Sequence, residues 1–100
     1  MIFLSWDDAS CPSTGYHLIY GNLATVSTYA ISGSLCALNT AGSYTWSGVP
    51  AGNLWYVAVS DDAGVTEGSW GPGVANGERN GGAASGQCGF TVRNNAGTCP

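Results

Sequence analysis

His17 is the only imidazole in this chain, and the carboxylates that could work with it are Asp7, Asp8, Asp61, Asp62, Glu67 and Glu78. A Ser/His/Asp site would need His17 to meet a serine and an aspartate across a sheet, and no nucleophile elbow in the sequence aims a serine at it. The alternation around His17 instead predicts a histidine on the outer, solvated face of its strand. Asp7-Asp8 and Asp61-Asp62, with Glu67 close by, could reach loops that gather calcium. EF-hand and Gly-Asp repeat spacings are missing, which leaves turn capping as the expected role. A glycosidase-like pair would need two acids facing each other across a cleft. Gly71-x-Gly73 and Gly81-Gly82 lack the Lys of a phosphate loop. The expectation is a non-enzyme with no catalytic residue, no cofactor and no metal ligand set.

Cys11, Cys36, Cys88 and Cys99 show none of the C-x-x-C spacing of zinc or redox sites. An even count in a short, lysine-free, Gly-rich chain implies disulfides, with three connectivities open to four cysteines. Pairing Cys11 with Cys36 and Cys88 with Cys99 closes moderate loops, each within one half of the chain, and is the expected arrangement. An oxidising, extracellular or cell-surface setting follows.

Charge narrows the partners. Only 8% of residues are charged and the net charge is −4, against about 25% charged in an average soluble domain. Arg79 and Arg93 are the only basic residues and cannot form the cluster that a nucleic-acid partner requires. The longest apolar run, Leu54 to Val59, is too short to span a bilayer, so no membrane insertion is expected. Met1 to Trp6 has neither the basic n-region nor the apolar length of a signal peptide. Because it starts inside a strand-like run, the chain is expected to be part of a larger exported protein.

The positioning elements are strands. Ile2 to Trp6 alternates until Asp7-Asp8 stops it, and Tyr16, Leu18 and Tyr20 share one face with His17 and Ile19 on the other. Tyr29 to Ser32 is a short edge candidate, and Leu35 to Leu38 reads as loop or a single turn. Ser43 to Ser47 follows between glycines. Leu54 to Ser60 comes after a Pro/Gly corner and places Trp55, Val57 and Val59 on one face. Thr66 to Trp70 returns after an acidic turn, Pro72 to Gly89 reads as a flexible Gly-rich connector, and Phe90 to Val92 is the one strand-like piece of the tail. No helical period is present. Short strands with turn signals every eight to twelve residues predict an all-β antiparallel sandwich over 1–71 and a Gly-rich extension over 72–100.

These residues resemble the fibronectin type III-like, immunoglobulin-like sandwich, over roughly Ile2 to Trp70. Leu4-Ser5-Trp6 is similar to the L-x-W of that family's second strand, and Gly15-Tyr16-His17-Leu18-Ile19-Tyr20-Gly21 to the G-Y-x-V-Y-x-G of its third. Val49-Pro50-Ala51-Gly52-Asn53-Leu54-Trp55 resembles the L-x-P-G-T-x-Y corner before the sixth strand. Asp61-Asp62-Ala63-Gly64 followed by Glu67-Gly68-Ser69 resembles the turn into the last. The E-G-S stretch with Glu78-Arg79 is similar to uncharacterised domains of bacterial secreted and surface proteins. The resemblance implies that the loops holding Cys11 and Cys36 emerge at one end of the sandwich. It also implies that the first strand is missing or borrowed, leaving an edge open to a preceding segment, a neighbouring domain or the Phe90 to Val92 tail. Trp55 stands where the family's corner tyrosine would be, and an indole N–H donates but cannot accept.

Together these features predict an extracellular spacer, adhesion or assembly module that contacts other domains or copies of itself. The alternative is a polysaccharide-binding module in which Trp46 and Trp70, beside Tyr44 or Tyr56, form an exposed aromatic platform.

Overall fold

Alternating apolar side chains, punctuated by Gly, Asn and Asp, form seven strands in the computed structural model, which describes residues 1–6, 9, 13–70 and 79–94, with no side-chain description at 80 and 81. They are β1 (Ile2–Ser5), β2 (Gly15–Asn22), β3 (Gly33–Leu38), β4 (Ser43–Trp46), β5 (Leu54–Asp61), β6 (Thr66–Glu67) and β7 (Val92–Arg93). β1 and β4 form a two-stranded antiparallel sheet, and the other five are ordered β3-β2-β5-β6-β7. The central pairing is β2 with β5, antiparallel and unbroken from Gly15 opposite Asp61 to Asn22 opposite Leu54. The chain is thus all-β among its described residues, with two sheets packed face to face.

The packing between the sheets follows from period 2. Leu4 and Trp46 from the small sheet meet Tyr16, Leu18 and Leu38 from the large one, with Ile2, Trp6, Tyr20, Leu35, Tyr44, Val49 and Leu54 around them. Trp6 tilts against Tyr16 with ring centroids 5.4 Å apart, and Trp46 against Tyr20 at 5.0 Å.

The other face of β2 is buried as well. Ile19, Trp55, Val59 and Trp70 form a second apolar cluster there, with Val26, Tyr29, Ile31 and Val57 packed against it. Because paired residues point to the same side, Trp55 and Val59 of β5 share this outer face with Gly21, Ile19 and His17 of β2. Trp55 is therefore core by alternation, as expected, but on the side away from the small sheet.

Two elements differ from the sequence reading. Tyr29 to Ser32 is not a strand: Leu23–Thr28 forms short 3-10 turns capped by the Asn22 side chain on the Ala24 amide, and Tyr29 closes them in the left-handed region at φ 51°. The third strand is Gly33–Leu38 instead and includes the Leu35 to Leu38 run read as loop. Its period is hidden by a bulge, because Leu38 and Leu35 pair with Tyr16 and Leu18, three residues against two. Ala37 absorbs the extra residue at φ 55°.

The segment read as a flexible connector is ordered where it is described. Arg79–Gly82 and Gln87–Gly89 are 3-10 turns. The tail strand is Val92–Arg93, and it joins the large sheet parallel to β6 rather than lying on the edge of β1. Cys36 on β3 bonds to Cys88, with Cα atoms 5.6 Å apart. That bond corrects both expected pairings, since each used one of these two cysteines; Cys11 and Cys99 lie outside the described residues. β3 is an edge strand that runs beside the Gln87–Gly89 turn, so the bridge ties the extension to the sandwich instead of closing each half on itself. A closed loop of this size lowers the entropy of the unfolded chain by an amount worth about 4 kcal/mol.

Gly21 sits where the outer cluster meets the chain after the 3-10 turns. A Cβ there would strike the Ala30 carbonyl and lie 2.6 Å from Trp55 Nε1, whereas one at Gly48 meets nothing within 4 Å. Gly21→Ala is expected to lower stability by about 1–3 kcal/mol in urea denaturation, and Gly48→Ala by less than about 0.5 kcal/mol.

Candidate functional site

The outer face of β2 carries one polar residue among apolar neighbours, and the register decides what it meets. His17 pairs with Val59 on β5. One step further along the same face of β5 lies Asp61, which pairs with Glu67 on β6. Three adjacent strands thereby bring the only histidine together with two carboxylates. Asp61 Oδ2 is 2.7 Å from His17 Nδ1, and Glu67 Oε2 is 2.8 Å from His17 Nε2. All three residues are buried, at 0%, 7% and 0% exposure for His17, Asp61 and Glu67. This corrects the solvated surface histidine expected from alternation.

Covers for this site come from outside the sandwich strands. Phe90 stacks on the imidazole with ring centroids 4.5 Å apart and planes 14° from parallel. Ser85 donates its amide to Glu67 Oε1 and its hydroxyl to Glu67 Oε2 at 2.9 Å. The Ala63 amide donates to Asp61 Oδ1 at 2.9 Å, and the Ser13 hydroxyl donates to the Asp61 carbonyl at 2.6 Å. Every carboxylate oxygen of Asp61 and Glu67 therefore has a partner, the condition under which buried charge is tolerated. Gly15, opposite Asp61, lets that carboxylate approach, since a Cβ there would collide with Oδ1.

Burial pushes the Glu67 carboxyl up, but the hydrogen bonds from His17 and from the Ser85 amide and hydroxyl outweigh it and hold the group below the usual glutamate range. Asp62, the neighbouring acid, is exposed and is lowered chiefly by the amides of Gly64 and Thr66, which its Oδ1 caps at 2.8 and 3.2 Å. Asp61 and Asp62 are thus turn-capping residues, as the sequence suggested.

Chemically, the arrangement occupies the histidine completely. An ionised carboxylate only accepts, so hydrogen bonds at both ring nitrogens require two N–H groups, or one proton shared into a carboxyl. A general base needs one ring nitrogen turned toward the group it deprotonates. Here one nitrogen faces Asp61, the other Glu67, and Phe90 covers a ring face. Beside the trio lies an open cleft of about 380 Å³ whose lining includes Asp61, Asp62 and Glu67 together with Ser13, Thr66 and Asn94. No group of three or more His, Cys, Asp or Glu among the described residues is disposed to hold a metal ion.

The residues expected to form an aromatic platform are not brought together at the surface. Trp46 and Trp70 are buried at 3% and 1% exposure, Tyr44 is half-buried within the inter-sheet packing, and Tyr56 alone is exposed. The reason is that Trp46 fills the inner core, while Trp70 leaves β6 to seal the outer one. Trp55, at the corner position, has its indole Nε1 buried with no acceptor. Both arginines belong to the extension and are engaged: Arg93 lies over the Trp70 ring at 4.6 Å and donates to the Ala83 and Arg79 carbonyls, and Arg79 donates to the Trp70 carbonyl. Asp7, Asp8 and Glu78 lie outside the described residues.

Comparison with protein-family models, with curated proteins and with solved structures returned no match.

Removing the imidazole leaves two buried carboxylates facing each other without a shared donor. His17→Ala is expected to cost about 3–5 kcal/mol in chemical denaturation, well above an exposed His→Ala change. Glu67 has a lower pKa folded than unfolded, so its contribution is complete above the unfolded value near 4.5 and disappears as pH falls through the folded value. Unfolding free energy measured from pH 6 downward is expected to fall in that acid range, with Glu67→Gln flattening the slope.

Proposed function

We propose that the chain is a non-catalytic module with an immunoglobulin-like, fibronectin type III-like sandwich, serving as a spacer, adhesion or assembly unit of a larger secreted or surface protein. The observation that carries this reading is that its only histidine is fully buried with both ring nitrogens engaged by carboxylates. The one acid–base set among the described residues therefore fastens three strands together, with no imidazole nitrogen left to act as a base. The order β3-β2-β5-β6, facing β1 and β4, supports the sandwich assignment. The Cys36–Cys88 bond supports an oxidising, extracellular setting. No helix among the described residues is long and apolar enough to cross a membrane.

Assembly through a strand edge is favoured by β1. Its edge away from β4 carries no strand among the described residues, Ile2–Ser5 is uncharged, and Phe3 is 70% exposed. Natural edges that avoid pairing place Lys, Pro or a bulge there. Such an edge suits pairing with another domain or a second copy of the chain. A sugar platform has lost its rings, because Trp46 and Trp70 are buried.

Sedimentation velocity over a hundredfold range of concentration is expected to show reversible association that Phe3→Lys weakens. Titration with a panel of polysaccharides is expected to leave tryptophan emission unchanged. A particle monomeric at every concentration would overturn the assembly reading, and quenching by a polysaccharide would restore the sugar-binding one.

A further inference from the structure

We propose that residues 79–94 form a redox-controlled strap that the Cys36–Cys88 bond holds shut over the outer face of the large sheet, and that a dithiol reductant opens without unfolding the sandwich. The strap crosses that face along a defined path. Arg93 covers Trp70, Phe90 covers His17, Ser85 closes over Glu67, and Gln87 accepts from the Ser34 hydroxyl beside the disulfide. Backbone bonds seat its end, from the Thr91 and Val92 amides to the Val65 carbonyl and from the Asn94 amide to the Glu67 carbonyl.

What the strap lacks is apolar weight. Between residues 79 and 94, Phe90 is the one buried side chain described, and the remainder is mostly Gly, Ala, Ser, Asn and Gln. Ordering each residue costs conformational entropy, and glycines lose the most. One buried ring, the two Ser85 bonds to Glu67 and a few partly exposed hydrogen bonds offset only part of that. The covalent tie therefore decides whether the strap stays down. By contrast, the cluster between the two sheets draws no side chain from the strap, so the sandwich has a core that survives the strap's departure.

The tie is also reachable. Cys36 sits on an edge strand and is exposed, and Cys88 is half-buried. A thiolate of the dithiol attacks one sulfur of the bridge, and the S–S bond breaks to a mixed disulfide and a cysteine thiolate. The reductant's second thiolate then displaces the other cysteine. The reductant leaves as its own disulfide, oxidised by two electrons, and Cys36 and Cys88 take up two protons as thiols. In an oxidising setting the strap stays shut. Under reduction it uncovers Trp70, His17 and Glu67, an aromatic and acidic surface that the closed module does not present.

Hydrogen exchange on the full chain tests this with a Cys36→Ser/Cys88→Ser variant, and with the unmodified protein treated with dithiothreitol. Amides of Ser85, Thr91 and Asn94 are expected to lose protection by roughly a hundredfold, while those of Ile19, Val57 and Val59 in the β2–β5 ladder keep theirs. Tryptophan emission is expected to shift to longer wavelength, and reoxidation of the treated protein to reverse both changes. Unchanged protection of the strap amides would overturn the proposal. Loss of protection in strap and ladder together, in either sample, would overturn it equally, because the strap would then be inseparable from the fold.

Discussion

The constraint on which the rest of the structure depends is the burial of His17 between Asp61 and Glu67. Two carboxylates and an imidazole have no place in a dry interior unless each polar atom finds a partner. That requirement reaches outward through the sequence. It calls for a glycine at position 15 so that Asp61 can approach, a tight acidic turn whose Ala63 amide satisfies the far oxygen, and a serine at 85 that delivers both an amide and a hydroxyl to Glu67. In the disulfide-closed form Phe90 also stacks over the imidazole as a lid. Fully satisfied, such a network fixes the mutual position of β2, β5, β6 and the extension, since any slip in register would strand a charge. The Cys36–Cys88 bond secures the same extension at the β3 edge of the sheet.

The same burial explains how a chain with few charges divides its apolar residues. β2 is covered on both faces, so its run Gly15–Gly21 is buried or nearly so throughout. One cluster lies between the sheets and the other on the outer face beneath the chain from Val26 to Ile31, and the tryptophans are distributed over both. Trp6 and Trp46 belong to the inner cluster, Trp55 and Trp70 to the outer one. A count of tryptophans that suggested a binding surface is thus accounted for by two cores of modest size. Both arginines are absorbed in holding the extension, which leaves the described surface without a basic patch.

Much of the strand layout was legible because period-2 alternation between turn residues needs no tertiary knowledge. β1, β2, β4 and β5 lie close to where alternation places them, and the acidic turn before β6 caps its own amides. What failed to show was anything set by distant pairing. β3 hides its period behind a bulge at Ala37, and its small residues look like loop until β2 supplies the ladder. His17 looked solvated because its face was assumed to be open. The signal to the contrary was present in Trp70 and Phe90, two large aromatics near and within a segment otherwise too small and polar to need them. The cysteine pairing is hidden from the sequence for a related reason. Loop length favours near neighbours, but edge strands and returning tails bring remote residues together.

A module whose acid–base trio is consumed in fastening strands differs in kind from one that presents it to a ligand. The most direct measurement is therefore of the imidazole itself, by proton–nitrogen NMR at neutral pH. Burial between Asp61 and Glu67 predicts ring N–H protons that exchange slowly with water and show cross-relaxation to the Phe90 ring. Rapidly exchanging ring protons with no contact to Phe90 would mean that His17 faces solvent, and would contradict the account.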